Sequence, residues 1–182
     1  MNLTLRSFLP SLLLAATCLA ATQRPNLVVF ISDDLGRLDT SIHGSKDVRT
    51  PTMDLLAAGG MTFDDAYVAS PSCCPSRFSL LTGLMPARHG AHPNHSQVKP
   101  GTKFLMPILK NMGYHIASFG KVAHGNRDFE GMDFNNPKRT AMSVEVEKYF
   151  SKTKIDRPVC LLVGDRRPHV EWTKEMNYDP KK

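Results

Sequence analysis

The chain has 182 residues, long enough for one domain with a real hydrophobic core. Lys and Arg number 23 against 17 Asp and Glu, a net charge of +6 that suits an anionic partner or, more plainly, a solvated surface. No helix-turn-helix, zinc-finger or RNA-binding signature accompanies that charge, which sets nucleic acid aside.

The first 20 residues read as a leader. Arg6 supplies a short positive region, residues 8–16 are mostly apolar, and Cys18-Leu19-Ala20 offers small residues for cleavage after Ala20. The apolar run is too short for a membrane span and carries Pro10. Residues 1–20 are therefore expected to be a signal peptide. The protein is then secreted or periplasmic, or lysosomal in a eukaryote.

Residues 26–32 form a continuous apolar run of strand length, rich in β-branched side chains, as in a strand buried on both faces. Thr50-Pro51, an apolar stretch and Gly59-Gly60 predict a capped helix with a glycine stop. A strand is predicted at 61–68, a helix at 75–84, a helix at 104–112 and a strand at 114–119. An amphipathic helix at 143–154 and a buried strand at 158–164 complete the pattern. Strands alternating with helices predict an α/β fold, a largely parallel sheet flanked by helices, in one domain over residues 26–182.

Polar groups gather where these strands end. The first strand runs into Asp33-Asp34, that at 114–119 into Gly120-Lys121-Val122-Ala123-His124, and that at 158–164 into Asp165-Arg166-Arg167-Pro168-His169. Ligands of open α/β sheets bind outside the carboxyl ends of the strands, so these groups are expected around one pocket. Singly, each has a duller explanation: a helix cap or solvated turn for the aspartates, a surface lysine, ordinary histidines. Adjacent carboxylates repel unless a cation sits between them, and hard oxygen donors suit Ca²⁺ or Mg²⁺.

Cys73, Cys74 and Cys160 remain after the leader, an odd number with two adjacent, so they form no disulfide framework. Cys160 sits in an apolar strand and reads as a small buried hydrophobe. Cys73 opens the run Cys73-Cys74-Pro75-Ser76-Arg77, followed by Phe78-Ser79-Leu80-Leu81-Thr82-Gly83. A thiol with its pKa lowered at a helix start would account for the cysteine, though it does not require Pro-Ser-Arg at fixed spacing.

That run resembles the signature of the formylglycine-dependent sulfatases, within the alkaline phosphatase-like superfamily. The resemblance spans about residues 26–172, the family's N-terminal part. It implies that Cys73 is oxidised to formylglycine by a formylglycine-generating or anaerobic sulfatase-maturating enzyme. It implies Asp33, Asp34 and the modified Cys73 as ligands of Ca²⁺ or Mg²⁺, and Arg77 as the group holding the formylglycine diol. Lys121 would contact sulfate, His124 would hydrogen-bond the diol, and His169 would bind sulfate or protonate the leaving group. The diol would attack sulfur, and the sulfated intermediate would collapse to the aldehyde when its second hydroxyl loses a proton.

Asp33-Asp34-Leu35-Gly36-Arg37 and Thr82-Gly83-Leu84-Met85-Pro86-Ala87-Arg88-His89-Gly90 resemble heparan N-sulfatases. Gly120-Lys121-Val122-Ala123-His124 and Arg167-Pro168-His169 resemble iduronate sulfatases. Both imply a sulfated saccharide substrate. The second acidic pair, later lysine and C-terminal subdomain of the family are not visible before Lys182, so the domain reads as truncated. The alternatives are a fragment that binds sulfated ligands without turnover and a phosphohydrolase of the same superfamily.

Overall fold

The computed structural model describes residues 24–124, 130–138 and 142–169. The expected leader, Trp172 and the basic C-terminus lie outside the described residues. The chain runs β1 (Leu27–Asp33), α1 (Pro51–Gly59), α2 (Cys73–Thr82), α3 (Pro86–His89), α4 (Leu105–Asn111), β2 (His115–Gly120), β3 (Phe134–Asn136), α5 (Met142–Lys152) and β4 (Val159–Pro168). The four strands form one parallel sheet in the order β1–β4–β2–β3, the α/β architecture expected from the alternation.

The apolar runs explain the layers. Alternate residues of a strand face opposite sides. Leu27, Val29 and Ile31 of β1 pack with Ile116, Cys160 and Leu162 against Leu81 of α2 and Met106 and Leu109 of α4. On the other face, Tyr149 of α5 lies on Phe119 and Phe134, with ring centroids 5.7 and 4.1 Å apart, and bonds His115 Nε2 at 2.7 Å. Burying a side chain such as Ile116 or Phe119 contributes about 1.5–3 kcal/mol.

Over β1 that second face is open among the described residues. Val28 and Phe30 are 67% and 65% exposed, although parallel sheets normally carry helices on both sides.

Residues 61–68 do not form the predicted strand. Met61, Phe63, Tyr67 and Val68 have strand-type side chains but stand exposed. A strand needs a neighbour's hydrogen-bonding edge, and neither edge strand, β1 or β3, pairs with this segment. Helix α2 starts at Cys73 rather than at 75, and β4 continues through Pro168 rather than stopping at Gly164.

Candidate active site

Strands β1, β4 and β2 are adjacent and parallel, so their carboxyl ends share one edge. Gly120 and Gly164 face each other there, and Lys121 N–H donates to Gly164 O at 2.8 Å. A Cβ on either glycine would run into the other strand's backbone, so the close approach that seats Lys121 requires both. The β1–β4 register slips between Ile31 and Asp33, pairing Asp33 with Pro168. The extra β4 residues bulge outward before the chain returns. His169 N–H then donates to Asp33 O at 3.0 Å, fixing its backbone beside β1.

A buried ionic cluster lies beneath this edge. Asp33, 2% exposed, accepts from Arg77 Nη2 at 2.9 Å on Oδ1 and from Lys121 Nζ on Oδ2. Arg77 also donates to the carbonyls of Ser32, Lys121 and Val122, tying α2 to the ends of β1 and β2. Burial alone would raise the Asp33 pKa. The hydrogen bonds from Lys121 and Arg77, with their charges, outweigh it and hold the carboxyl below its usual range.

Cys73 is the first residue of α2 and is partly exposed. Its Sγ lies 3.4 Å from Asn94 Oδ1 and 3.6 Å from His124 Nδ1. Ser72 makes no side-chain cap; Asn94 Oδ1 instead accepts from Cys74 N–H at 3.4 Å, capping the helix from a distant loop. Cys74 points the other way, fully buried against Phe78 and Ala91, where burial pushes its thiol pKa up.

Cys73, Lys121, His124 and His169 meet around one cavity of about 400 Å³, whose wall also includes Asn94, His95 and Arg166. The ends of β2 and β4 and the start of α2 therefore converge on it, whereas the β1-end carboxylates Asp33 and Asp34, expected around the same pocket, are not in its wall. The bonds given to Arg77 go to Asp33 and backbone carbonyls rather than to residue 73, which places it behind the cavity wall. Asp34 turns outward at φ 64°, with a side chain 60% exposed and Oδ2 3.7 Å from His169 Nε2. Asn94 and His95 are additional wall residues beyond those expected from the strand ends and the motif. Their one mark in the sequence is the density of polar side chains in His92-Pro93-Asn94-His95.

A family model for the sulfatases matches residues 25–169. The chain belongs to the sulfatase family. It is 28% identical to an ulvan-active sulfatase of Formosa agariphila, over 84% of this chain and 32% of the relative. It is 35% identical to an N-acetylgalactosamine-6-O-sulfatase of Bacteroides thetaiotaomicron, over 78% of this chain and 29% of the relative. It is 49% identical to human arylsulfatase A over 61% of this chain and 23% of that enzyme. The chain thus spans at most about a third of these curated relatives.

Two solved structures share the fold. One, in complex with its substrate D-glucosamine-2-N,6-O-disulfate, matches 83% of this chain and 36% of its own at TM-score 0.74 and 22% identity. The other, a phosphonate monoester hydrolase of Agrobacterium radiobacter, matches 81% of this chain and 42% of its own at TM-score 0.70 and 17% identity.

The sulfatase resemblance implies a cation at Asp33, Asp34 and Cys73. The two carboxylates have the hard-oxygen chemistry of a Ca²⁺ or Mg²⁺ ligand set. Yet the described residues contain no group of three or more His, Cys, Asp or Glu gathered for a metal. Asp33 faces inward to two cationic side chains while Asp34 faces outward, so the expected set is not assembled by these residues. Among the described residues no helix is long and apolar enough to cross a membrane.

Proposed function

We propose that this chain carries the nucleophile-bearing part of a hydrolase of sulfuric esters or sulfamates, acting on a sulfated carbohydrate through formylglycine formed at Cys73. The observation that supports this best is the convergence of Cys73, Lys121, His124 and His169 on one cavity. Relatives named for sulfated N-acetylgalactosamine and for ulvan support the saccharide class. The leader implies export, so maturation at residue 73 takes place on or before the secretory route.

Formylglycine supplies a hydrated aldehyde whose hydroxyl serves as the nucleophile. The chain's own residues do the rest. Residue 73 sits at the start of α2, where the positive end of the helix dipole favours negative charge. Lys121 borders the cavity with its ammonium held on Asp33, so its positive charge attracts sulfate oxygens from the inner wall. His169 donates a proton to the departing oxygen or nitrogen. His124, with Nδ1 3.6 Å from Cys73 Sγ, accepts a proton at residue 73 when the sulfated form collapses. Arg77 positions these groups from behind by fixing Asp33 and the Lys121 backbone.

A second reading is favoured by the described residues gathering no group of three metal donors: the chain by itself binds sulfated ligands without turning them over. One experiment separates the two. Protein coexpressed with a maturation enzyme is offered a sulfated oligosaccharide, and free sulfate and ligand binding are both measured. Sulfate release that disappears in Cys73→Ser supports hydrolysis; binding without release supports the second reading.

A further inference from the structure

The cavity wall contains a contact to which the functional reading gives no role. His95 Nδ1 is in hydrogen-bond contact with His124 Nε2, the rings meeting edge to face with centroids 4.3 Å apart. The opposite nitrogen of His124, Nδ1, is the one that faces Cys73. His124 therefore bridges residue 73 and His95.

The loop holding His95 is anchored to the same helix that carries Cys73. His95 adopts φ 63°, a left-handed conformation uncommon outside glycine, and its N–H donates to Asn94 Oδ1 at 3.1 Å. That oxygen also receives Cys74 N–H, and Cys74 Sγ lies 3.4 Å from Ser96 O. Ser96 Oγ and N–H both return to Pro93 O, at 2.6 and 3.3 Å. Residues 93–96 form a turn pinned to the first turn of α2 at two points.

We infer that His95 is a positioning residue: it accepts a hydrogen bond at Nδ1 from His124 Nε2–H, leaving the His124 Nδ1 lone pair directed at residue 73. In a neutral imidazole one nitrogen donates and the other accepts, so the partner of one nitrogen decides the role of the other. Asn94 Oδ1 and His124 Nδ1 then present two acceptors to residue 73, one for each hydroxyl of a hydrated aldehyde. The chemical use of this arrangement rests on the proposed function. The arrangement itself does not require formylglycine, because it is present with Cys73 unmodified.

The test is ¹⁵N NMR of histidine-labelled protein at about pH 7.5–8, where ordinary imidazoles are largely neutral and ordinary thiols still largely protonated. Wild-type protein is expected to show His124 as one tautomer, protonated at Nε2. His95→Ala should lose this single state and give mixed tautomers, while His95→Gln, which offers an amide acceptor, should restore it. His89 provides a folding control in the same spectrum. Its Nδ1 accepts from Ala91 N–H at 3.1 Å and its Nε2 lies 3.1 Å from Ser79 Oγ, so its Nε2–H tautomer should not change. If His95→Ala perturbs His89, the His95→Gln result decides, and failure to restore the His124 state overturns the inference. A His124 proton on Nδ1 in wild type, or a His124 tautomer unchanged in His95→Ala, also overturns it. A residue 73 that is never oxidised would sink the proposed function and leave this result standing.

Discussion

Two polar clusters sit within one edge of the sheet and differ in almost every physical respect. The Asp33–Arg77–Lys121 cluster is buried, ionic and tied into the ends of β1, β2 and α2. The Cys73–Asn94–His95–His124 cluster contains no carboxylate, lysine or arginine, is more open, and is joined by hydrogen bonds around a cavity. The first resists rearrangement, because removing one charge strands the others away from water. The second can exchange protons and admit a ligand. The difference teaches that the family motif serves both: Cys73 faces the cavity while Arg77, four residues later in the helix, locks the frame behind it.

The sharpest way to separate them is Cys73→Ser. In matured protein that releases sulfate, the substitution should abolish release, read by ion chromatography. It should change the unfolding free energy from urea titration by no more than about 0.5 kcal/mol, since the side chain is only partly buried. Asp33→Ala should do the reverse within the fold, destabilising it by about 3–5 kcal/mol in urea titration because Arg77 and Lys121 lose their buried partner. A loss of stability below about 1 kcal/mol would break the comparison by placing Asp33 among dispensable groups.

Asn94→Ala probes the seam between the clusters. Loss of the cap on α2 should lower stability by about 1 kcal/mol, with amide exchange quickening first at the start of α2. The smallest effect is expected away from the site, at Asp133, which pairs with Lys110 and Arg157 and accepts from Ile116 N–H. Burial would raise its pKa, but the Ile116 hydrogen bond and the Lys110 and Arg157 charges hold it below the ordinary 3.8. Its contribution, about 0.5–1 kcal/mol for a half-exposed pair, is full above pH about 4 and lost as pH falls towards its folded value. Asp133→Asn should flatten that acid limb of the stability–pH curve. An unchanged limb would show that the exposed partners contribute nothing there.

The legible parts of the molecule were those with local patterns. Apolar β-branched runs marked β1 and β4, and the polar residues after β1, β2 and β4 fall along one edge of the sheet because those strands are adjacent and parallel. What escaped the sequence depended on partners. Residues 61–68 have strand-like side chains but no neighbouring edge, and β3 is three residues long, too short for periodicity to register. Asn94 and His95 lie in an irregular loop, so nothing local indicated that they would reach the start of α2. Arg77 was expected at the nucleophile, yet its place behind the wall follows from β1 and β2 ending on either side of it. The acidic pair was visible as a pair, but the opposite directions of Asp33 and Asp34 come from the left-handed backbone at Asp34.

The most direct test of the account is the mass of the tryptic peptide containing residue 73, from protein coexpressed with a formylglycine-generating enzyme. The account predicts that the Cys73 sulfur is replaced by an aldehyde oxygen while Cys74 keeps its thiol. An intact thiol at Cys73 in that setting would contradict it.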